Sequence, residues 1–309
     1  MSAPTYAARV NEPGNPQRLI GELVRGADPV LSFEFFPPKT DDGERHLWRA
    51  IRELEPLHPG FVSVTYGAGG TTRDRTARVT ERIATETTLT AMAHLTCVGA
   101  SRAEIRRVVG RYADAGIRNV LALRGDPPGG PGQPFQPHPD GFDYAAQLVE
   151  FVAGLGGFSV GVAAFPDVHP EAADANADAE NLCRKAEAGA SFAITQFFFE
   201  AAAYFRLVDR VRSLGCDLPI IPGLMPVTNV AQIERFAKLS GTPVPADLVS
   251  RFHDVAADVD AVRELGVEVA ADLGARLLEG GAPGLHFYTL NRSTATREVA
   301  RMLGLTTPA

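Results

Sequence analysis

A carboxylate occupies an unusual position at Glu34, between Phe33 and Phe35 and shortly before Pro37 and Pro38. Carboxylates are seldom buried without a partner or a task. Burial among aromatic rings disfavours the charged form, so this environment predicts a raised pKa and a proton donor near neutral pH. The alternative is a structural ion pair with an arginine. We favour the proton donor.

Further polar residues lie at the ends of other apolar runs. His94 ends one run, and Arg124 and Asp126 follow another. Gln196 stands among phenylalanines, where its amide could fix a flat heterocycle. Taken singly, each has a structural alternative: a satisfied core histidine, an ion pair between Arg124 and Asp126, or a glutamine bonded to the backbone. Their convergence on one surface is what indicates a site.

Two patterns that often mark cofactors or metals are incomplete. The glycines after Val64 partly imitate the G-x-G-x-x-G dinucleotide motif, but Thr72 replaces its third glycine, and a plain strand-to-helix turn before a helix near Arg73 is equally consistent. The 7 histidines form no H-E-x-x-H pattern and the 3 cysteines no C-x-x-C pair. We therefore predict no metal site.

Three polar residues, Asp178, Asn181 and Lys185, fall at helical spacing after the apolar run that ends at Ala164. Such a face can hydrogen-bond a polyol, while Lys185 or the adjacent Arg184 attracts phosphate. By spacing alone, a solvated helix face is the favoured explanation.

The elements that must position these residues are eight short apolar runs, separated mostly by about 30 residues, the length of one βα unit. Continuous apolarity is typical of strands buried on both faces, and eight such units predict a closed (β/α)8 TIM barrel of class α/β, with catalytic groups at the carboxyl ends of its strands. We assign residues 1–20 to a loose N-terminal arm and 21–309 to one catalytic barrel. The predicted strands are Val30–Phe36, Phe61–Tyr66, Leu89–Leu95, Val120–Leu123, Phe158–Ala164, Phe192–Phe197, Leu218–Ile221 and Leu285–Tyr288.

Composition narrows the class of partner. The chain has 309 residues, of which 45% are hydrophobic and 22% charged, which favours a globular core. A net charge of −7 argues against nucleic acid as a partner. We recognise no signal peptide or membrane-spanning run and expect a cytoplasmic protein without a membrane partner, which could form a homo-oligomer.

Six ordered motifs resemble the signature of bacterial methylenetetrahydrofolate reductases, over a stretch from about Leu31 to Leu305. The motifs are Phe33–Lys39, Phe61–Ala68, His94–Cys97, Arg124–Asp126, Ala193–Phe199 and His286–Arg292.

The resemblance implies a flavoenzyme in which NADH or NADPH reduces FAD and leaves, after which 5,10-methylenetetrahydrofolate is reduced to 5-methyltetrahydrofolate. It implies that Glu34 protonates the folate at N10 and that Asp126 stabilises the cationic intermediate. Gln196, Phe236, Tyr288 and Arg292 would contact the folate, and Thr65 and Gln232 the nicotinamide nucleotide. The residues implied to hold FAD are Tyr66, Ala68, His94, Arg124, Gly125, Asp126, Tyr144, Ala145, Phe165, His169, Ala172, Asp178, Asn181, Arg184 and Lys185.

One position departs from the pattern. Phe165 stands where the best-known bacterial relatives have a tyrosine, which removes one hydroxyl contact. We also expect no S-adenosylmethionine-responsive domain. Two alternatives stay open: the same reductase working without flavin by direct hydride transfer, and a non-catalytic barrel that binds flavin or folate. An aldol-type lyase is disfavoured because no lysine ends a strand.

Overall fold

Eight parallel strands in sequence order form a closed barrel, in which β8 pairs with β1. This confirms the predicted single (β/α)8 fold. The computed structural model describes residues 17–65, 73–127, 133–231 and 243–305. The strands are β1 Val30–Phe35, β2 Phe61–Val64, β3 Ala91–Thr96, β4 Asn119–Leu123, β5 Ser159–Ala164, β6 Phe192–Phe197, β7 Ile220–Leu224 and β8 Gly284–Tyr288.

The helices pack around the barrel, and several begin at polar caps that the sequence supplies. Ser101 and Glu104 form a reciprocal capping box, and Asp174 accepts hydrogen bonds from the backbone nitrogens of Asn176 and Ala177. The described helices are α1 Ile20–Leu23, α2 Asp41–Leu54, α3 Arg73–Glu86, α4 Arg102–Asp114, α5 Ala145–Gly154, α6 Ala175–Glu187, α7 Ala201–Ser213, α8 Ala246–Asp254, α9 Val259–Glu279 and α10 Thr294–Met302, with a 3-10 turn at Glu55–Leu57.

Successive side chains of each strand alternate between the barrel interior and the surrounding helices. On β1, Val30 packs in the small cluster inside the barrel, whereas Phe33 and Phe35 join the large core between strands and helices. Ser32 and Glu34 lie two and four residues after Val30, on the same face of the strand, and therefore point into the barrel. The aromatic neighbours of Glu34 in the sequence lie on the opposite face of the strand.

The amino-terminal end of the barrel is closed by residues that precede β1. The side chain of Ile20 is fully buried, and its backbone nitrogen donates to Asn119 Oδ1 at 2.8 Å. The buried Gln17 accepts a hydrogen bond from Ala91 N at 3.1 Å. Within the predicted arm, residues 17–20 are thus held against the barrel, and residues 1–16 lie outside the described residues.

Neither a membrane-spanning helix nor a metal-binding cluster occurs within the described ranges. No helix there has the length and apolarity needed to cross a lipid bilayer. In the same ranges, no group of three His, Cys, Asp or Glu side chains is arranged to hold a metal ion.

Candidate active site

Glu34 is the centre of a polar cluster inside the carboxyl-terminal end of the barrel. Its side chain is 7% exposed. Thr65 Oγ1 donates to Oε1 at 2.8 Å, and Ser63 Oγ donates to Oε2 at 3.3 Å. The Nε2 atoms of His94 and His286 each lie 3.3 Å from Oε2. The carboxyl group therefore accepts hydrogen bonds from two hydroxyls and lies beside imidazoles of β3 and β8.

The predicted direction of the Glu34 pKa was wrong. Burial raises the pKa of Glu34, but the electrostatic interaction with His94 and the hydrogen bond with His286 lower it by more, so the net direction is downward from the usual value. The prediction failed because it placed the carboxyl among Phe33 and Phe35. Those rings face the helices, and Glu34 faces imidazoles and hydroxyls instead.

His286 and Ser32 belong to this cluster and were missed as functional candidates. Both side chains are fully buried, and His286 Nδ1 lies 2.9 Å from Ser32 Oγ. The signal that could have found them is the strand alternation: Ser32 lies two residues before Glu34, and His286 lies two before Tyr288. Each therefore faces the interior one layer deeper.

The backbone of Glu34 is fixed by the segment that follows β8. Thr289 donates to the Glu34 carbonyl from its backbone nitrogen at 3.1 Å and from its hydroxyl at 2.8 Å. Asn291 accepts from Phe36 N at 2.8 Å and donates to Phe36 O at 2.9 Å. Leu290 and Asn291 adopt positive φ angles of 51° and 59°, a left-handed conformation that asparagine tolerates but that is strained for leucine.

We expect Asn291→Ala to lower the free energy of unfolding by about 1–3 kcal/mol, because it removes both bonds to Phe36 and places alanine in the left-handed region. Urea denaturation measures this loss. Asn176→Ala, at an exposed position of α6, is the control and should change stability by less than about 0.5 kcal/mol. Equal stability of the two variants would show that Asn291 does not stabilise this segment.

At the end of β4, Arg124 is paired with Glu171 and not with Asp126 as the ion-pair alternative supposed. Both terminal guanidinium nitrogens donate to Glu171, at 2.7 and 2.6 Å, and the guanidinium lies 4.9 Å from the centre of the Phe135 ring. Gly125 has φ +85°, and a Cβ there would stand 2.6 Å from a Val98 methyl. This turn leaves Asp126 exposed.

The polar face of α6 is only partly a solvated surface. Asp178 Oδ2 accepts from the backbone nitrogen of His169 at 2.9 Å, and Lys185 Nζ donates to the Ala163 carbonyl at 3.2 Å. Burial lowers the pKa of Lys185, against the opposing charge of Asp178. Asn181 and Arg184 are exposed and hydrogen-bonded to each other.

The loop between β5 and α6 lies beside this face. Phe165 packs edge-on against His169 with ring centres 4.6 Å apart, and burial lowers the pKa of His169. Ala172 N donates to the His169 carbonyl at 2.9 Å, which closes a turn. Before α5, Tyr144 is 65% exposed, and Ala145 is the first residue of that helix.

Gln196 and its neighbour Thr195 lie at an irregularity in the pairing of β6 with β7. Gln196 Oε1 accepts a hydrogen bond from Phe197 N at 3.0 Å. The structural alternative, a glutamine bonded to the backbone, predicted such a bond. Tyr288 donates to the Thr195 carbonyl at 2.7 Å. Gly223 permits this contact, since a Cβ there would stand 2.4 Å from that carbonyl oxygen. Burial raises the pKa of Tyr288 well above its usual value, with a further contribution from Glu34.

The remaining site residues divide into two groups. Arg292 is exposed, one residue beyond Asn291. Tyr66, Ala68, Gln232 and Phe236 lie outside the described residues.

Unsatisfied polar atoms accompany the cluster on β3. Neither nitrogen of the buried His94 makes a hydrogen bond, although Nε2 is close to Glu34, and the buried Thr96 Oγ1 also lacks a partner within the described part of the chain. Buried polar groups are normally hydrogen-bonded, so these atoms mark a surface suited to a polar ligand.

The closed barrel and the polar groups at its strand ends define the class of a (β/α)8-barrel enzyme with its site at the carboxyl-terminal face. The family model described as methylenetetrahydrofolate reductase matches residues 19–304, and the chain belongs to that family.

Relatives and solved structures agree with the family and the fold. The chain is 42% identical to the 5,10-methylenetetrahydrofolate reductases of Pectobacterium carotovorum and Escherichia coli, each over 275 residues, covering 89% of this chain and 90% of the relative. It is 34% identical to methylenetetrahydrofolate reductase (NADH) 1 of Arabidopsis thaliana, covering 93% of this chain and 50% of that protein. An uncharacterized Clostridium thermocellum protein, described as binding two copies of 5-methyl-5,6,7,8-tetrahydrofolic acid, shares the fold at 14% identity, with a TM-score of 0.65 over 93% of this chain and 98% of that one.

Proposed function

We propose that this chain reduces 5,10-methylenetetrahydrofolate to 5-methyltetrahydrofolate with electrons from NADH or NADPH passed through FAD, in two separate half-reactions, and so supplies methyl groups for methionine synthesis. The observation that carries the proposal is the buried Glu34 carboxyl, held inside the barrel by hydroxyls and imidazoles, in a chain 42% identical to bacterial reductases over nine-tenths of their length. A cytoplasmic location and a homo-oligomeric state stay predictions.

Two features fit a flavin. His94 and Thr96 present buried polar atoms that need partners, and an isoalloxazine ring carries both donors and acceptors. Arg124 is paired with Glu171, whose carboxylate accepts from both terminal guanidinium nitrogens as a phosphate would. The Glu171 carboxylate thus occupies the position at Arg124 that a phosphate of FAD would take.

FAD supplies hydride transfer between the nicotinamide and the folate when it is bound. In the proposal, Arg124 and Lys185 attract its phosphates and Asp178 and Asn181 bond its sugar hydroxyls. The other residues proposed to contact FAD are Tyr66, Ala68, His94, Gly125, Asp126, Tyr144, Ala145, Phe165, His169, Ala172 and Arg184.

Glu34 and Asp126 have different proposed roles in the reduction of the folate. Glu34 donates a proton to N10, which makes that nitrogen a leaving group and opens the five-membered ring. The exposed Asp126 supplies negative charge to the cation that forms. Gln196, Phe236, Tyr288 and Arg292 are proposed to orient the folate, and Thr65 and Gln232 the nicotinamide nucleotide.

The ion pair at Arg124 leads to a prediction on cofactor affinity. Because Glu171 competes with an incoming phosphate for Arg124 and repels it, we expect Glu171→Gln to tighten FAD binding by about two- to fivefold, the scale of an exposed ion pair. Titration of apoprotein with FAD, followed by flavin fluorescence, measures the change. Glu187→Gln, an exposed carboxylate near the end of α6, is the control. Unchanged or weaker binding by Glu171→Gln would show that Arg124 does not receive the cofactor.

The proposed function is tested by the absorbance of purified protein and by steady-state activity with and without added FAD. We expect a bound yellow chromophore, and NAD(P)H oxidation that depends on both FAD and 5,10-methylenetetrahydrofolate. Turnover of the folate by protein that holds no flavin and gains nothing from added FAD would support the flavin-independent alternative instead. Flavin binding without any folate turnover would support a non-catalytic binding protein.

A further inference from the structure

Ser32 and His286 form a buried pair directly below Glu34. The His286 ring is held in place by stacking on Phe61, with centres 5.7 Å apart and planes at 17°, and by the edge contact with Tyr288 at 5.3 Å. In this orientation Nδ1 faces Ser32 Oγ at 2.9 Å, and Nε2 faces Glu34 Oε2 at 3.3 Å. The imidazole thus bridges a hydroxyl and the candidate acid.

The hydroxyl of Ser32 indicates which nitrogen carries the proton. Ser32 Oγ also lies 3.2 Å from the Leu285 carbonyl, which can only accept a hydrogen bond. Because a serine hydroxyl has a single proton, donation to Leu285 leaves Oγ as an acceptor toward His286. With the hydroxyl turned to Leu285, Nδ1 carries the hydrogen of the neutral ring, and Nε2 has only a lone pair to offer Glu34.

We propose that Ser32 and His286 are positioning residues that hold the acid proton of Glu34: Ser32 fixes the Nδ1–H form of His286, so that one proton is shared between Nε2 and Oε2. This inference rests on the proposed role of Glu34 as the proton donor. An unprotonated Nε2 opposite a carboxylate would place two lone pairs together, which favours keeping the shared proton.

The shared proton explains how Glu34 can donate a proton although the neighbouring imidazoles lower its pKa. A carboxylate with an imidazolium and a carboxylic acid with a neutral imidazole hold the same number of protons, so one apparent pKa belongs to the pair. When the pair gives its proton to N10, the N10–H bond forms, Glu34 is left as carboxylate and His286 as the neutral Nδ1–H ring. Solvent water then returns a proton to the pair.

The other groups that face Glu34 define the controls. His94 on β3 and Tyr288 on β8 are the further titratable groups, and Ser63 on β2 and Thr65 directly after that strand contribute hydroxyls. Ser63 donates to the same Oε2 atom as the shared proton, but it stabilises the carboxylate. Loss of Ser63 and loss of Ser32 should therefore move the pKa of the pair in opposite directions.

The first test is nuclear magnetic resonance of 15N-histidine-labelled protein without ligands, with the His286 signals assigned by their absence in His286→Gln. We expect Nδ1 of His286 to have the chemical shift of a protonated nitrogen at neutral pH, and to become a bare nitrogen in Ser32→Ala. A bare Nδ1 in the unmodified protein would overturn the inference, whether or not Ser32→Ala folds.

The second test is the pH dependence of the folate half-reaction in FAD-loaded protein. We expect the apparent pKa of the acid to fall by about one pH unit in Ser32→Ala, which lowers the rate about tenfold above that pKa, and to rise in Ser63→Ala. Flavin reduction by NAD(P)H should change in neither variant. Shifts of the same sign would overturn the inference. Failure of the proposed function is seen separately, as folate turnover that survives Glu34→Gln.

Discussion

Glu34→Gln is expected to lower the rate of folate reduction by about 10²–10⁴-fold, the usual contribution of a general acid, while flavin reduction by NAD(P)H stays within about twofold of the unmodified rate. Glutamine keeps the shape of the side chain and can still accept from Thr65 Oγ1, which lies 2.8 Å from Oε1. It has no acidic proton for N10. Single-turnover kinetics of each half-reaction measure the two effects apart.

The control for this variant is Glu150→Gln, which removes an exposed carboxylate from α5 and should change neither half-reaction. Equal losses in both half-reactions of Glu34→Gln would indicate that the substitution damages the cluster of His94 and His286 as a whole. Folate reduction at an unchanged rate would exclude Glu34 as the acid.

Lys185→Met is expected to weaken FAD binding by about 10- to 100-fold, equivalent to about 1.5–3 kcal/mol for the loss of a hydrogen bond from a charged group. The partly buried Nζ atom is held by the Ala163 carbonyl at 3.2 Å, so little side-chain entropy is lost when it meets a phosphate. Methionine has a similar length without the charge. Equilibrium titration of apoprotein with FAD measures the loss.

Arg107→Met is the control for Lys185→Met, because Arg107 is an exposed cation on α4. Its removal should leave FAD affinity within about twofold. A comparable loss in both variants would mean that net charge, and not Lys185 itself, attracts the cofactor. No loss in Lys185→Met would contradict the proposed phosphate site on α6.

The sequence was sufficient for the fold because a buried parallel strand is a local pattern. Seven predicted strands lie close to their observed positions, and α3 begins at Arg73 as expected. The strand predicted at Leu218–Ile221 instead spans Ile220–Leu224, since Pro222 and Gly223 interrupt the apolar run that the prediction relied on. Both residues are nevertheless buried in the barrel wall.

The site was predicted less completely, because its contacts join residues remote in sequence. Arg124 and Glu171 are 47 residues apart, and His286 and Glu34 are 252 apart. No local pattern specifies such pairs. The environment of Glu34 was within reach, however: strand alternation turns Phe33 and Phe35 away from it and brings Ser32 to its side. Applying that period to β8 as well would have predicted the polar cluster of Ser32, Glu34 and His286.

The most direct test of the central claim is anaerobic stopped-flow absorbance of the FAD-loaded protein, mixed first with NADH or NADPH and then with 5,10-methylenetetrahydrofolate. We predict that flavin absorbance bleaches with the nucleotide alone and returns on addition of the folate, with 5-methyltetrahydrofolate formed in equal amount. A flavin that is not reduced without folate present, or that stays reduced when the folate is added, would contradict the proposed reaction.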